Sequence, residues 1–157
     1  MGKLKPRRRS GCPVSIALET LGDRWSLLII RDLMVRGYTT FSQFEESDEG
    51  IATNILTDRL RRLEKNGIIS RERESRDRRK ATYRLTEKGI DLAPLLLELL
   101  IWGARHERTM APPELIAQME HDRAGVIAEA RRRWRDRDST PLIPSFAKSK
   151  SRRGKTH

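Results

Sequence analysis

Ile51, Leu56, Leu60 and Leu63 recur at helical spacing, which leaves Thr53, Asn54, Thr57, Asp58 and Arg61 on the opposite side. Gly67 stands where such a helix needs a residue of positive φ to end. Two short β-prone runs follow, 68–73 and 81–85, separated by the charged tip Ser75-Arg76-Asp77-Arg78-Arg79-Lys80. A polar-faced helix followed by a basic hairpin predicts the working part of a winged helix-turn-helix. The helix would enter a major groove, and the hairpin would reach phosphates or the adjacent minor groove.

The pattern upstream supplies the support this unit requires. Pro13 suits a first helical position, Val14, Ala17, Leu18 and Leu21 follow at i, i+3, i+4, i+7, and Gly22 stops the run. Asp23 is placed to cap a second helix, with Trp25, Leu28, Ile29 and Leu33 as its expected inner face and Gly37 at its close. Tyr38-Thr39 predicts a short strand that adds a third partner to the hairpin. Thr40 and Gln43 fit a capping box, after which Phe41 and Phe44 would anchor a short helix, and 46–50 form the turn into the polar-faced helix.

Downstream, Thr86 is placed to cap a helix whose positions 92–102 are apolar on nearly every side, with a kink expected at Pro94. A last, weaker pattern from 113 to 134 carries Leu115, Ile116, Met119, Val126, Ile127 and Ala130, with Gly125 inside it. Nothing else in the chain is left to cover these helices, so a second subunit is the expected cover. The fold class is mainly α with a small β wing, an α+β winged helix-turn-helix with flanking dimerisation helices.

Charge sharpens the picture. The 157 residues carry a net +11, but much of it lies at the ends. Residues 1–9 and 137–157 hold +5 each, against +1 for 10–136. Residues 51–85 hold 11 Lys/Arg and 5 Asp/Glu, whereas 10–50 and 86–136 together hold 11 and 16. Positive charge is therefore concentrated on the expected reading unit. The division expected is a basic arm (1–11), the winged domain with its dimerisation helices (12–106), a helical extension (107–136) and a basic disordered tail (137–157). Either end could add phosphate attraction without sequence preference.

Other chemistry finds little to stand on. One cysteine excludes an internal disulfide or a multi-cysteine zinc site. His106, His121 and His157 are scattered and no glycine-rich phosphate loop is present, so neither an enzyme, a cofactor nor a metal is expected. No secretory signal is visible, and the apolar run 95–102 is interrupted by Glu98 and too short to span a bilayer. The expectation is a cytoplasmic, nucleoid-associated protein. A winged helix used to dock a protein or RNA is the remaining alternative.

In order along the chain, Cys12-Pro13-Val14, Gly22-Asp23-Arg24-Trp25, Phe41-Ser42-Gln43-Phe44, Leu56-Thr57-Asp58-Arg59-Leu60-Arg61-Arg62-Leu63-Glu64, Gly67-Ile68-Ile69, Tyr83-Arg84-Leu85-Thr86-Glu87-Lys88-Gly89 and Trp102-Gly103 resemble the HxlR-type regulators, a branch of the MarR-like winged-helix superfamily. The resemblance implies a homodimeric transcription factor on inverted-repeat operators in double-stranded DNA, a repressor or an activator. It implies dimerisation through the first helix and the helices after the wing, with Val14, Leu18, Leu92, Leu96, Leu99, Leu100 and Trp102 as the interface. Carried over by position, Thr53, Asn54, Thr57 and Arg61 would face bases. Arg59 and Arg62 would contact the backbone or hold the helix by ion pairs. Arg76, Arg78 and Arg79, with Lys80, would form the wing contact.

Three departures stand out. Ala52 occupies a position where many relatives have a capping Ser, which would turn Thr53 into the cap. The Asp77-Arg78-Arg79 tip is closer to general MarR wings, and the segment after about 110 has no counterpart. The resemblance also places Cys12 at a cysteine that some relatives use to sense oxidants or electrophiles. A thiol at a helix start gains from the helix dipole, and Arg7, Arg8 and Arg9 would add to this if close in space. The competing expectation is a small buried hydrophobe. A small-molecule or oxidant effector thus stays open.

Overall fold

A computed structural model describes residues 10–72 and 80–143. In chain order the elements are α1 (Pro13–Leu21), α2 (Arg24–Val35), α3 (Phe41–Glu45), α4 (Thr53–Lys65), β1 (Ile69–Arg71), β2 (Tyr83–Leu85), α5 (Glu87–Ile90), α6 (Ala93–His106), α7 (Pro113–His121) and α8 (Arg123–Asp136). This is a winged helix-turn-helix, mostly helical with one small antiparallel sheet. The strands pair Ile69 with Leu85, Ser70 with Arg84 and Arg71 with Tyr83. The third strand shrinks to a single bridge, Thr40 to Thr82, one residue later than Tyr38-Thr39 implied.

The local signals act as the residues dictate. Asp23 accepts from the Trp25 and Ser26 amides, so α2 starts at the expected place. Thr40 and Gln43 close a reciprocal capping box on α3, and Thr86 accepts from the Gly89 amide at the start of α5. Gly67, at φ 72°, takes the left-handed turn between α4 and β1.

Leu56, Leu60 and Leu63 are fully buried, and Ile51 is buried just ahead of the helix rather than inside it. With Ile29, Ile30, Phe41, Phe44, Tyr83 and Ile90 they form the main core. Burying each leucine stabilises the fold by roughly 1.5–3 kcal/mol.

Four expectations need correction. The inner face of α2 is Ser26, Ile29, Ile30 and Met34, about one residue out of phase with Trp25, Leu28 and Leu33, which are only partly buried. Pro94 does not kink a helix. It sits in the first turn of α6, where its missing N–H breaks no helical bond. The pattern from 113 to 134 is two helices, because Asp122 ends α7 and caps α8 by accepting from the Gly125 amide. Finally, α6 is covered in part by its own chain. Leu97 and Ile101 pack with Ile116 and Met119 of α7 and with Ile143. The stretch set apart from 137 onward therefore begins inside the packed structure. The Leu142 amide donates to the Val35 carbonyl at 2.7 Å, and Ile143 is buried.

Candidate nucleic-acid interface

The site is built on α4. Its inner row of leucines fixes the helix roll, so Asn54, Asp58, Arg61 and Arg62 are exposed on the other side. The middle of the helix is tied down by Arg59. Its Nε donates to Asp23 Oδ1 at 3.0 Å, and its guanidinium also pairs with Asp58. Asp23 thus caps α2 and holds α4 with one carboxylate. Burial pushes the Asp23 pKa up, but the Ser26 hydroxyl and amide and the Arg59 guanidinium outweigh it, and the net shift is downward.

The two threonines of this helix are engaged locally. Thr53 Oγ1 donates to Glu45 Oε1 at 3.3 Å, and Thr57 Oγ1 donates to the Thr53 carbonyl at 2.9 Å. Thr53 does not replace a missing cap: the N-cap is Ala52, with no side-chain capping bond. The turn into α4 is anchored separately. Glu49 accepts from Arg31 Nη1 at 2.8 Å and from Arg24 Nη2 at 3.0 Å. The Arg31 hydrogen bond is the largest influence holding the Glu49 carboxyl below its usual range.

At the wing, Lys80 is exposed at the start of the return toward β2. Arg76, Arg78 and Arg79 lie outside the described residues. The base of the wing is clamped by α8. Trp134 Nε1 donates to the Leu85 carbonyl at 2.8 Å, Arg84 donates to the Trp134 carbonyl, and the Arg84 guanidinium lies 4.8 Å from the Trp134 ring centre. Arg137, with φ 54°, ends α8 and donates to Glu72 Oε2 at 2.7 Å. Sequence reasoning missed this clamp, along with the Glu49 anchor. Trp134, the one tryptophan in an otherwise polar helix end, was the available signal.

The residues expected at a subunit interface divide. Val14, Leu18, Leu99 and Trp102 are exposed, at 68, 59, 45 and 58%. Leu92, Leu96 and Leu100 are half-buried. Cys12, the N-cap of α1, is exposed, which corrects the buried-hydrophobe expectation. The Ser15 and Val14 amides at the open helix start lower its pKa. Among the described residues no group of three or more His, Cys, Asp or Glu could hold a metal ion, and no helix is long and apolar enough to cross a membrane.

Comparison with known proteins finds helix-turn-helix relatives. Residues 20–110 match the sequence profile described as HxlR-like helix-turn-helix. YdeP of Bacillus subtilis, an HTH-type transcriptional regulator, is 34% identical over 97 residues, 62% of this chain and 75% of its own. Rv3095 of Mycobacterium tuberculosis, also an HTH-type transcriptional regulator, is 36% identical over 125 residues, 79% of this chain and 76% of its own. Among solved structures, the redox regulator HypR in its oxidised form is 33% identical with a TM-score of 0.54, covering 62% of this chain and 99% of that one.

Proposed function

The chain belongs to the HxlR-like helix-turn-helix family of transcriptional regulators, and on that premise we propose that it binds double-stranded DNA sequence-specifically as a homodimer on an inverted repeat. Helix α4 enters the major groove. Asn54 and Arg61 read base edges, Thr53 and Thr57 contribute where their local hydrogen bonds allow, and Arg62 takes backbone phosphate. Arg59 acts indirectly by holding α4 against Asp23. The wing residues Arg76, Arg78, Arg79 and Lys80 contact the backbone or minor groove.

One observation carries this reading: α4 spends its leucine row entirely on the core and leaves a polar, arginine-bearing row uncommitted to packing. Exposed Val14 and Leu18, one turn apart on α1, and exposed Leu99 and Trp102, one turn apart on α6, support the dimer as apolar side chains that a partner could cover. Half-buried Leu92, Leu96 and Leu100 would complete the interface. In a dimer the two α4 helices would sit about 34 Å apart and meet successive major grooves. Division of the chain into a basic arm, winged domain, helical extension and tail belongs to the same proposal, with the extension reaching at least to Ile143.

Titrating the chain into labelled duplex DNA, with Arg61→Ala alongside, tests the reading. Binding by the native chain and weaker binding by the variant are expected. A preference for single-stranded RNA over duplex would transfer the site to the docking alternative. A redox-responsive variant of the regulator is favoured by the exposed, pKa-lowered Cys12 and the likeness to HypR.

A further inference from the structure

Glu45 is the last residue of α3 and stands beside Thr53, the first residue of α4. Its Oε1 accepts from Thr53 Oγ1 at 3.3 Å, so one carboxylate bridges the two helices across their turn. Glu45 is exposed, and among the described residues no lysine or arginine pairs with it. Glu49 in the same turn differs in both respects. It is half-buried and held by Arg31 and Arg24. The fold uses the carboxylate of Glu49 and leaves that of Glu45 in solvent with a neutral partner.

A carboxylate at this place opposes the charge of the surface around it. Arg61, Arg62 and Lys65 are exposed farther along α4, and Lys80 at the wing. Those cations favour any duplex, because every sequence offers the same phosphates. The start of α4 would do the same. Ala52 gives it no side-chain cap, and open amides at a helix start attract anions whatever the bases. Glu45 sets a negative charge there. Phosphate oxygens only accept hydrogen bonds, so a carboxylate beside one is repelled and unmatched. Base edges differ: cytosine N4 and adenine N6 donate in the major groove, whereas guanine O6 and thymine O4 accept.

We propose that Glu45 is a specificity-determining residue, accepting from the amino group of a cytosine or adenine next to the start of α4. The Thr53 hydroxyl occupies one carboxylate oxygen and orients the group, which leaves the other oxygen for the base. Every register that brings phosphate to the same place is disfavoured by the charge. Discrimination then comes partly from what Glu45 rejects. The inference rests on the regulator reading and adds to it a residue outside α4.

The test selects duplexes from a randomised pool with the full chain, native against Glu45→Gln. Glutamine keeps the length and an oxygen that can accept from Thr53, loses the charge and gains a donor. The native selection should show cytosine or adenine at one position of each half-site, and the base enriched there identifies the amino group. In Glu45→Gln that position should admit guanine or thymine while the others keep their preference. Titrations should show tighter binding of scrambled duplex by the variant. Its ratio of cognate to scrambled affinity should fall at least roughly fivefold, the lower end for one base contact. Glu46→Gln makes the same charge change one residue on and should leave the base pattern as it is. Because Glu45 is exposed, thermal melts of Glu45→Gln should match the native chain.

An unchanged base pattern or an unchanged affinity ratio in Glu45→Gln would overturn the proposal. So would an equal effect of Glu46→Gln, which would assign the change to net charge. A native chain that enriches no sequence would overturn the regulator reading and this proposal with it. An enriched native selection that Glu45→Gln reproduces overturns this proposal alone.

Discussion

Arg59 Nε donates to Asp23 Oδ1 at 3.0 Å, so the carboxylate that caps α2 also fixes the middle of α4. The lowered pKa of Asp23 converts this link into a pH dependence. A carboxylate with a depressed folded pKa contributes stability that is fully present above its unfolded value and lost as pH falls through the folded one. Urea unfolding should therefore show a loss beginning below about pH 4. Asp23→Asn should flatten that part of the profile and cost up to about 1 kcal/mol at neutral pH, from the lost charge facing Arg59 rather than from the cap, since Asn caps about as well as Asp. An unchanged acid limb in the variant would assign it to other groups.

Asn54 and Arg78 should fail differently. Asn54→Ala should relax base preference at one operator position at a cost of about 1–3 kcal/mol. Arg78→Ala should weaken all duplexes alike and lower the salt slope. Binding titrations at several salt concentrations on cognate and scrambled duplexes separate the two. A change of base preference alone in Arg78→Ala would mean that the wing reads bases.

Trp134 makes the C-terminal extension part of the winged domain. Trp134→Phe keeps most of the ring and removes only the donor to the Leu85 carbonyl. About 1 kcal/mol of stability should be lost, and up to about 3 if the carbonyl is left unmatched. Urea unfolding measures this, and DNA affinity should fall with it because β2 carries the wing. Equal affinity at reduced stability would confine α8 to a structural role.

Leu18→Asp should dissociate the proposed dimer, because it places a charge on a side chain that is 59% exposed in the single chain and apolar. Sedimentation equilibrium should report monomers with native helical content. A dimer unaffected by this change would move the interface away from α1.

Cys12 gives the redox prediction. Diamide treatment should weaken or alter operator binding by the native protein and leave Cys12→Ser unaffected. Equal responses would assign the effect to something other than the thiol.

Much of this was legible in the chain because it is local. Leu56, Leu60 and Leu63 mark α4 through the helical repeat, and Asp23, Thr40, Gln43 and Thr86 mark helix starts through bonds spanning three residues or fewer. The phase of α2 was not legible, since Leu27 to Ile30 and Leu33 to Val35 present apolar groups on most sides and periodicity selects no single face. Nor were the ties that set the site. Arg31 to Glu49, Arg59 to Asp23 and Trp134 to Leu85 join residues 18, 36 and 49 positions apart, and a local pattern carries no record of such pairs. The Pro94 misreading has the same origin. Proline suits a first turn as well as it spoils an interior, and only the break at Asp91-Leu92 decides between them.

The central claim is sequence-specific reading of an inverted repeat by paired α4 helices. It is tested most directly by fluorescence anisotropy against a randomised duplex pool at two salt concentrations, with the enriched sequences read out. Enrichment of an inverted repeat that persists at the higher salt, its half-sites about one helical turn apart, is the predicted result. Binding without enrichment that disappears at the higher salt would contradict it and assign the affinity to basic charge alone.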